Sequence, residues 1–229
     1  MRAHRFLSFA AAALLGLAGA ARAQVAGELT LPGTTDNTWS ATAGRTVGAG
    51  NSVVLGEIGW PGISVQYMRG LDAQSDLGLK ASFLYGFEGT TNSLVGLNLA
   101  VPYRRAVYEA TRVAISAHLD PGITFYGNRG PETGNIVGVG GPIGATLGFA
   151  LDDRLTLDVG ADLVTLLSFS NPAGVFFGPM AGAGAEYKLN QNLAVTFRSR
   201  FGPEFGVVSG GSGGQFAFQT LLGLAYNSR

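Results

Sequence analysis

From residue 53 to residue 226 the chain alternates, position by position, between large apolar residues and small or polar ones. Between Leu77 and Glu88 the odd positions carry Leu77, Leu79, Ala81, Phe83, Tyr85 and Phe87. The even positions carry Gly78, Lys80, Ser82, Leu84, Gly86 and Glu88. The same beat runs through Val95, Leu97, Leu99, Val101 and Tyr103, through Val113, Ile115, Ala117 and Leu119, and through Leu155, Leu157, Val159, Ala161 and Leu163. It continues through Phe177, Ala181, Ala185, Tyr187 and Leu189, and through Leu193, Val195 and Phe197. A period of two puts one residue class on each face of a β-strand and cannot build an amphipathic helix, whose period is 3.6. Composition agrees. Glycine makes up 36 of 229 residues, and each glycine inside a helix costs about 1 kcal/mol relative to alanine. The glycines show no three-residue period, so a collagen-like chain is excluded.

Ten strands are expected, over 53–60, 63–70, 77–88, 93–103, 112–126, 136–151, 154–169, 175–189, 193–208 and 215–226. The joints between them are short and carry turn residues, among them Pro61-Gly62, Asp152-Asp153, Asn190–Asn192 and Gly210–Gly214. Short joints make consecutive strands antiparallel neighbours, an up-and-down meander.

A soluble sandwich and a membrane barrel both use such alternation, with opposite faces turned outward. Three features favour the barrel. Charges are absent from the apolar face from the third strand onward, as lipid exposure demands at about 2–4 kcal/mol per midplane charge. The opposite face is built from Gly, Ala and Ser with scattered charges of both signs, which suits a narrow interior where all walls converge. Aromatic residues gather at the strand ends. Trp60, Phe83, Tyr85, Phe87, Phe125, Tyr126, Phe169, Phe176, Phe177 and Phe216 fall at one set of ends. Tyr67, Tyr103, Tyr108, Tyr187 and Tyr226 fall at the other. Two belts match the interfacial aromatics of a membrane protein.

On these residues the chain resembles the small bacterial outer-membrane β-barrels of eight to ten strands. The resemblance covers 53–226 and is one of pattern, without a signature motif. It implies an all-β, up-and-down antiparallel transmembrane barrel of about ten strands, with eight as the alternative. It also implies an even strand number, both termini in the periplasm, contact with outer-membrane lipid, and insertion by the barrel assembly machinery. Such barrels often end in Phe; here the chain ends Tyr226-Asn227-Ser228-Arg229, with Tyr226 as the closing aromatic. The tight turns at 152–153 and 190–192 then fall on the periplasmic side, and the loops at 128–135 and 210–214 outside.

Three segments are expected. Met1–Ala23 reads as a signal peptide: Arg2 and Arg5 lead an apolar run from Phe6 to Ala21, and Ala21-Arg22-Ala23 is a cleavage site. Residues 24–51, polar and without period, read as a flexible periplasmic arm. Residues 52–229 form the barrel. Losing Arg2, Arg5 and Arg22 leaves the mature chain weakly acidic, and no basic excess points to nucleic acid. There is no Cys to be lipidated or oxidised.

The second face carries the candidate site, an interior polar network of Glu57, Lys80, Arg112, His118, Asp120, Asp158, Asp162, Glu186, Lys188, Arg198, Arg200 and Glu204. Acids and bases nearly balance, and buried charges need partners. Asp158 and Asp162 lie about 13 Å apart along one strand, too far for a carboxylate pair, so each is expected to pair with bases such as Lys80, Arg112, Arg198 or Arg200. His118 is the only His left after the leader. Asp120 and Ser116 share its face, but nothing in the sequence fixes a nucleophile–base geometry. No enzyme is expected. One His and no Cys do not make a metal site. Gly138-Val139-Gly140-Gly141 lies in a strand with no following Lys, unlike a phosphate loop, so no cofactor is expected. The reading is a monomeric structural or surface protein of the bacterial envelope. The alternatives are a narrow, porin-like small-solute channel and a lipid-modifying barrel enzyme.

Overall fold

The computed structural model describes residues 39–86, 95–127, 135–170, 173–208 and 211–228. The expected signal peptide, the first part of the expected arm, Phe87 and most of the loops at 89–92 and 128–135 lie outside them. The described residues form twelve strand segments: β1 Ser52–Trp60, β2 Gly62–Gly70, β3 Ser75–Leu84, β4 Val95–Ala100, β5 Tyr103–Glu109, β6 Val113–Leu119, β7 Gly122–Gly127, β8 Ile136–Ala150, β9 Leu155–Ser168, β10 Gly174–Lys188, β11 Leu193–Val208 and β12 Gly211–Ser228.

The segments make a closed antiparallel barrel of 10 staves in up-and-down order. β4 and β5 are one stave, interrupted at Pro102, and β6 and β7 are another, interrupted at Pro121. Proline has no N–H for the ladder. Neighbouring carbonyls keep the wall continuous across the breaks: Val101 N donates to Pro121 O at 2.8 Å, and Gly78 N to Pro102 O at 2.8 Å. The barrel closes where β1 pairs with β12, from Ser52↔Ser228 to Trp60↔Thr220. That places Ser52 and Ser228 at one rim, the terminal end. β12 continues past this seam to Gly211, paired there with β11 alone. The walls are therefore uneven, with 9 residues in β1 against 16 in β11 and 18 in β12.

The strand boundaries follow the alternation closely, with one addition. The fourth stave runs on through β5 to Glu109, which adds inward-facing Arg104 and outward-facing Arg105. Residues with even numbers on β3 to β11 point inward, except past the bulge after Ala106 on β5, where Tyr108 faces outward. The same parity corrects two members of the expected outer aromatic belt. Tyr126 is buried in the interior, and Phe176 lies on the inner face beside Gly206.

Polarity runs opposite to that of a protein with an apolar centre. Among the described residues 39 large apolar side chains are exposed, including Leu79, Leu99, Ile123, Val159, Phe201, Leu222 and Leu224. The one buried apolar cluster, Trp39, Ala41, Val47, Val53, Leu55, Met68, Ala194 and Ala225, sits at the terminal end.

Candidate functional site

That apolar cluster marks the entry of Trp39–Asn51 into the barrel. Trp39 to Ala43, Thr46 and Val47 are buried, so this end of the expected arm is a folded plug. Side chains from the wall hold its backbone. Glu186 Oε2 accepts from Ser40 Oγ at 2.9 Å, Ala41 N at 2.8 Å and Thr42 N at 3.2 Å. Arg104 donates to the carbonyls of Ser40, Ala41 and Ala43 at 2.8–3.2 Å, while its Nε and Nη2 bind Asp76 Oδ2 at 2.9 and 2.7 Å. Asp76 in turn accepts from Val47 N at 3.1 Å. Arg45 donates to Ala110 O and Thr111 O, Trp39 Nε1 donates to Gln191 O at 2.9 Å, and Lys188 Nζ stands 4.9 Å over the Trp39 ring. A segment without its own ladder must satisfy its polar backbone elsewhere, and here the wall does it. Room comes from glycine. A Cβ on Gly148 would lie 2.8 Å from Gly44 N and 3.2 Å from Ala43 Cβ, so the plug backbone touches the wall at that point.

Above the plug lies a cavity of about 250 Å³, floored by Ala41 and Thr42. Two ion clusters line it. Glu57 is fully buried and accepts from Arg198 Nη2 at 2.5 Å, Arg198 Nε at 3.1 Å and Ser64 Oγ at 3.1 Å, with Lys80 Nζ 3.8 Å away. Asp162 binds His118 Nε2 at 2.6 Å through one oxygen and Arg200 Nη1 at 3.2 Å through the other. Higher up, Gln215 Nε2 donates to Glu204 at 2.9 Å. Pairing at this quality is what allows charge to stay in a narrow interior.

No protein-family model matches the chain, and no curated protein matches it significantly. The interior therefore has to be read from its own chemistry.

Eleven of the twelve sequence-derived positions face the interior or its rim. Arg112 does not. It lies in the turn between β5 and β6, exposed, with only its carbonyl engaged, by Ala150 N. The turn takes up the residue that alternation would have turned inward. The expectation of a partner for both β9 carboxylates holds at Asp162 and fails at Asp158. Asp158 is 8% exposed, lines the cavity, and its Oδ2 has no hydrogen-bond partner. Two interior charges escaped sequence reading, Asp76 and Arg104, as did the whole plug. Asp76 sat in what read as a turn, and Arg104 lay past a strand thought to end at Tyr103. Ser116, which shares the face of His118, is fully buried and its hydroxyl has no hydrogen-bond partner, so it is not joined to the imidazole.

Proposed function

We propose that the chain is an integral β-barrel of the bacterial outer membrane, exported through the signal peptide Met1–Ala23. In this reading it is a monomeric structural or surface protein inserted by the barrel assembly machinery. The observation that carries it is the inverted polarity: charges and hydrogen-bonded polar groups inside, and a girdle of exposed Leu, Val, Ile and Phe outside. Water disfavours so much contiguous apolar surface on a monomer, whereas hydrocarbon welcomes it and a closed barrel leaves few edges unpaired in it. The plug supports a closed interior over an open porin, as does the small girth of ten staves.

The test is electrophoretic and cellular. The mature protein should resist SDS until boiled, shift in mobility on heating, and fractionate with the outer membrane. Recovery in the soluble periplasm without a heat shift would remove the membrane reading. A narrow small-solute channel is the second reading, favoured by the cavity above the plug. The folded protein should be silent in planar bilayers; steady conductance with the plug intact would replace the closed barrel by the channel.

A further inference from the structure

We propose that the interior cavity is a binding site for a small protonated primary amine, anchored on Asp158. The argument begins with which charges are already used. Arg104 is spent on Asp76 and the plug carbonyls. Arg198 and Lys80 converge on Glu57. Arg200 and His118 share Asp162, and Glu204 accepts from Gln215. Among the described residues Asp158 and Asp120, both on the cavity wall, have no cation within ion-pair distance.

Asp158 is the anchor, because Asp120 N bonds Pro142 O on β8 whereas Asp158 pairs with Gly148, six positions and about 20 Å along that strand. It is 8% exposed, and Oδ2 makes no hydrogen bond. On its strand neighbours the structure offers only glycine, Gly148 on β8 and Gly184 on β10. A Cβ on Gly184 would come 2.7 Å from Oδ2, so the wall is hollowed around this carboxylate and supplies it no donor. Buried carboxylates without a donor are costly, and the missing partner is a cation that brings its own N–H groups. An anion has no unused base to meet. A chelated divalent metal is also a poor fit, because no group of three or more His, Asp, Glu or Cys residues among the described ones could hold it and such ions need many oxygen ligands. An ammonium needs only one or two carboxylates and donates three hydrogen bonds.

This inference does not depend on where the barrel resides, so it is tested on the mature protein folded in detergent micelles at neutral pH. Propylamine is titrated by calorimetry, with propanol as the uncharged match and propionate as the anion. Saturable binding of propylamine alone is expected. Asp158→Asn should weaken it by about 10- to 100-fold, the weight of a charged hydrogen bond, and the distant Asp120→Asn should leave it unchanged, with the fold checked by circular dichroism. Equal binding of propanol or propionate, or no saturation by propylamine, would overturn the proposal without any variant. Unchanged affinity in a folded Asp158→Asn would overturn the assignment of the anchor. A missing heat shift would count against the membrane reading and leave the amine titration to be judged separately.

Discussion

The floor of the barrel and the cavity above it are built from the same residue types and treat them differently. At the floor each carboxylate is claimed: Asp76 by Arg104 and Val47 N, and Glu186 by Ser40 Oγ and the plug amides. In the cavity Asp162 is claimed and Asp158 is left over. Charge at the floor is a structural fastener, because the plug has no ladder and its amides and carbonyls need wall groups. Asp158 fastens nothing in the wall. Removing a charge should therefore cost stability at the floor and little at Asp158.

The largest effect is expected from Arg104→Met, which leaves Asp76 buried without its cation and frees the plug carbonyls. We expect a loss of about 3–5 kcal/mol, measured by urea unfolding in micelles, with Trp39 emission shifting red as the plug loosens. Glu186→Gln keeps the acceptor and loses its charge, so about 1–2 kcal/mol is expected in the same assay. Asp158→Asn breaks no side-chain hydrogen bond or ion pair and removes a buried charge. Its stability should stay within about 0.5 kcal/mol of wild type or rise. A loss as large as that of Arg104→Met would erase the distinction between floor and cavity.

The smallest effect lies in the turns at the terminal end. Asp152 accepts from Arg154 N and Leu155 N at 2.7 and 2.8 Å, and these hydrogen bonds, Arg154 first, hold its pKa below the usual aspartate value. Its contribution is present above the unfolded pKa and disappears as pH falls through the lowered folded value. In wild type minus Asp152→Asn, the stability difference should shrink as pH drops below about 4. A difference flat with pH would mean that the charge contributes nothing to the turn.

Much of this architecture is legible in the alternation, because a two-residue period tied to one buried face fixes both strand and register. It misleads where local chemistry breaks the beat. Pro102 interrupts the fourth stave, and Tyr103-Arg104-Arg105 puts charge on both faces, so the strand seemed to stop and Arg104 was lost with it. Arg112 has the parity of Ala114, Ser116 and His118, yet β6 begins one residue later than the pattern suggests, at Val113. The plug was not legible at all. Its order comes from Glu186, about 145 positions away in the chain, and from Arg104, itself unseen. No local period records such contacts. Asp158 carries the opposite lesson: composition called for balance, and only the geometry shows which carboxylate is left out.

The uneven seam sets a depth gauge. From Gly211 to Gln219 the flank of β12 facing β1 has no ladder partner among the described residues, because the pairing stops at Trp60↔Thr220. Hydrocarbon offers nothing to bare N–H and C=O groups, so in a bilayer this flank has to stand in water or headgroups. In the proposed membrane reading the oily slab would lie between the Trp60–Thr220 pair and the terminal rim. The nine residues of β1, tilted, span about the 25 Å that such a slab requires, which would leave the tall side of the wall as a parapet above the membrane.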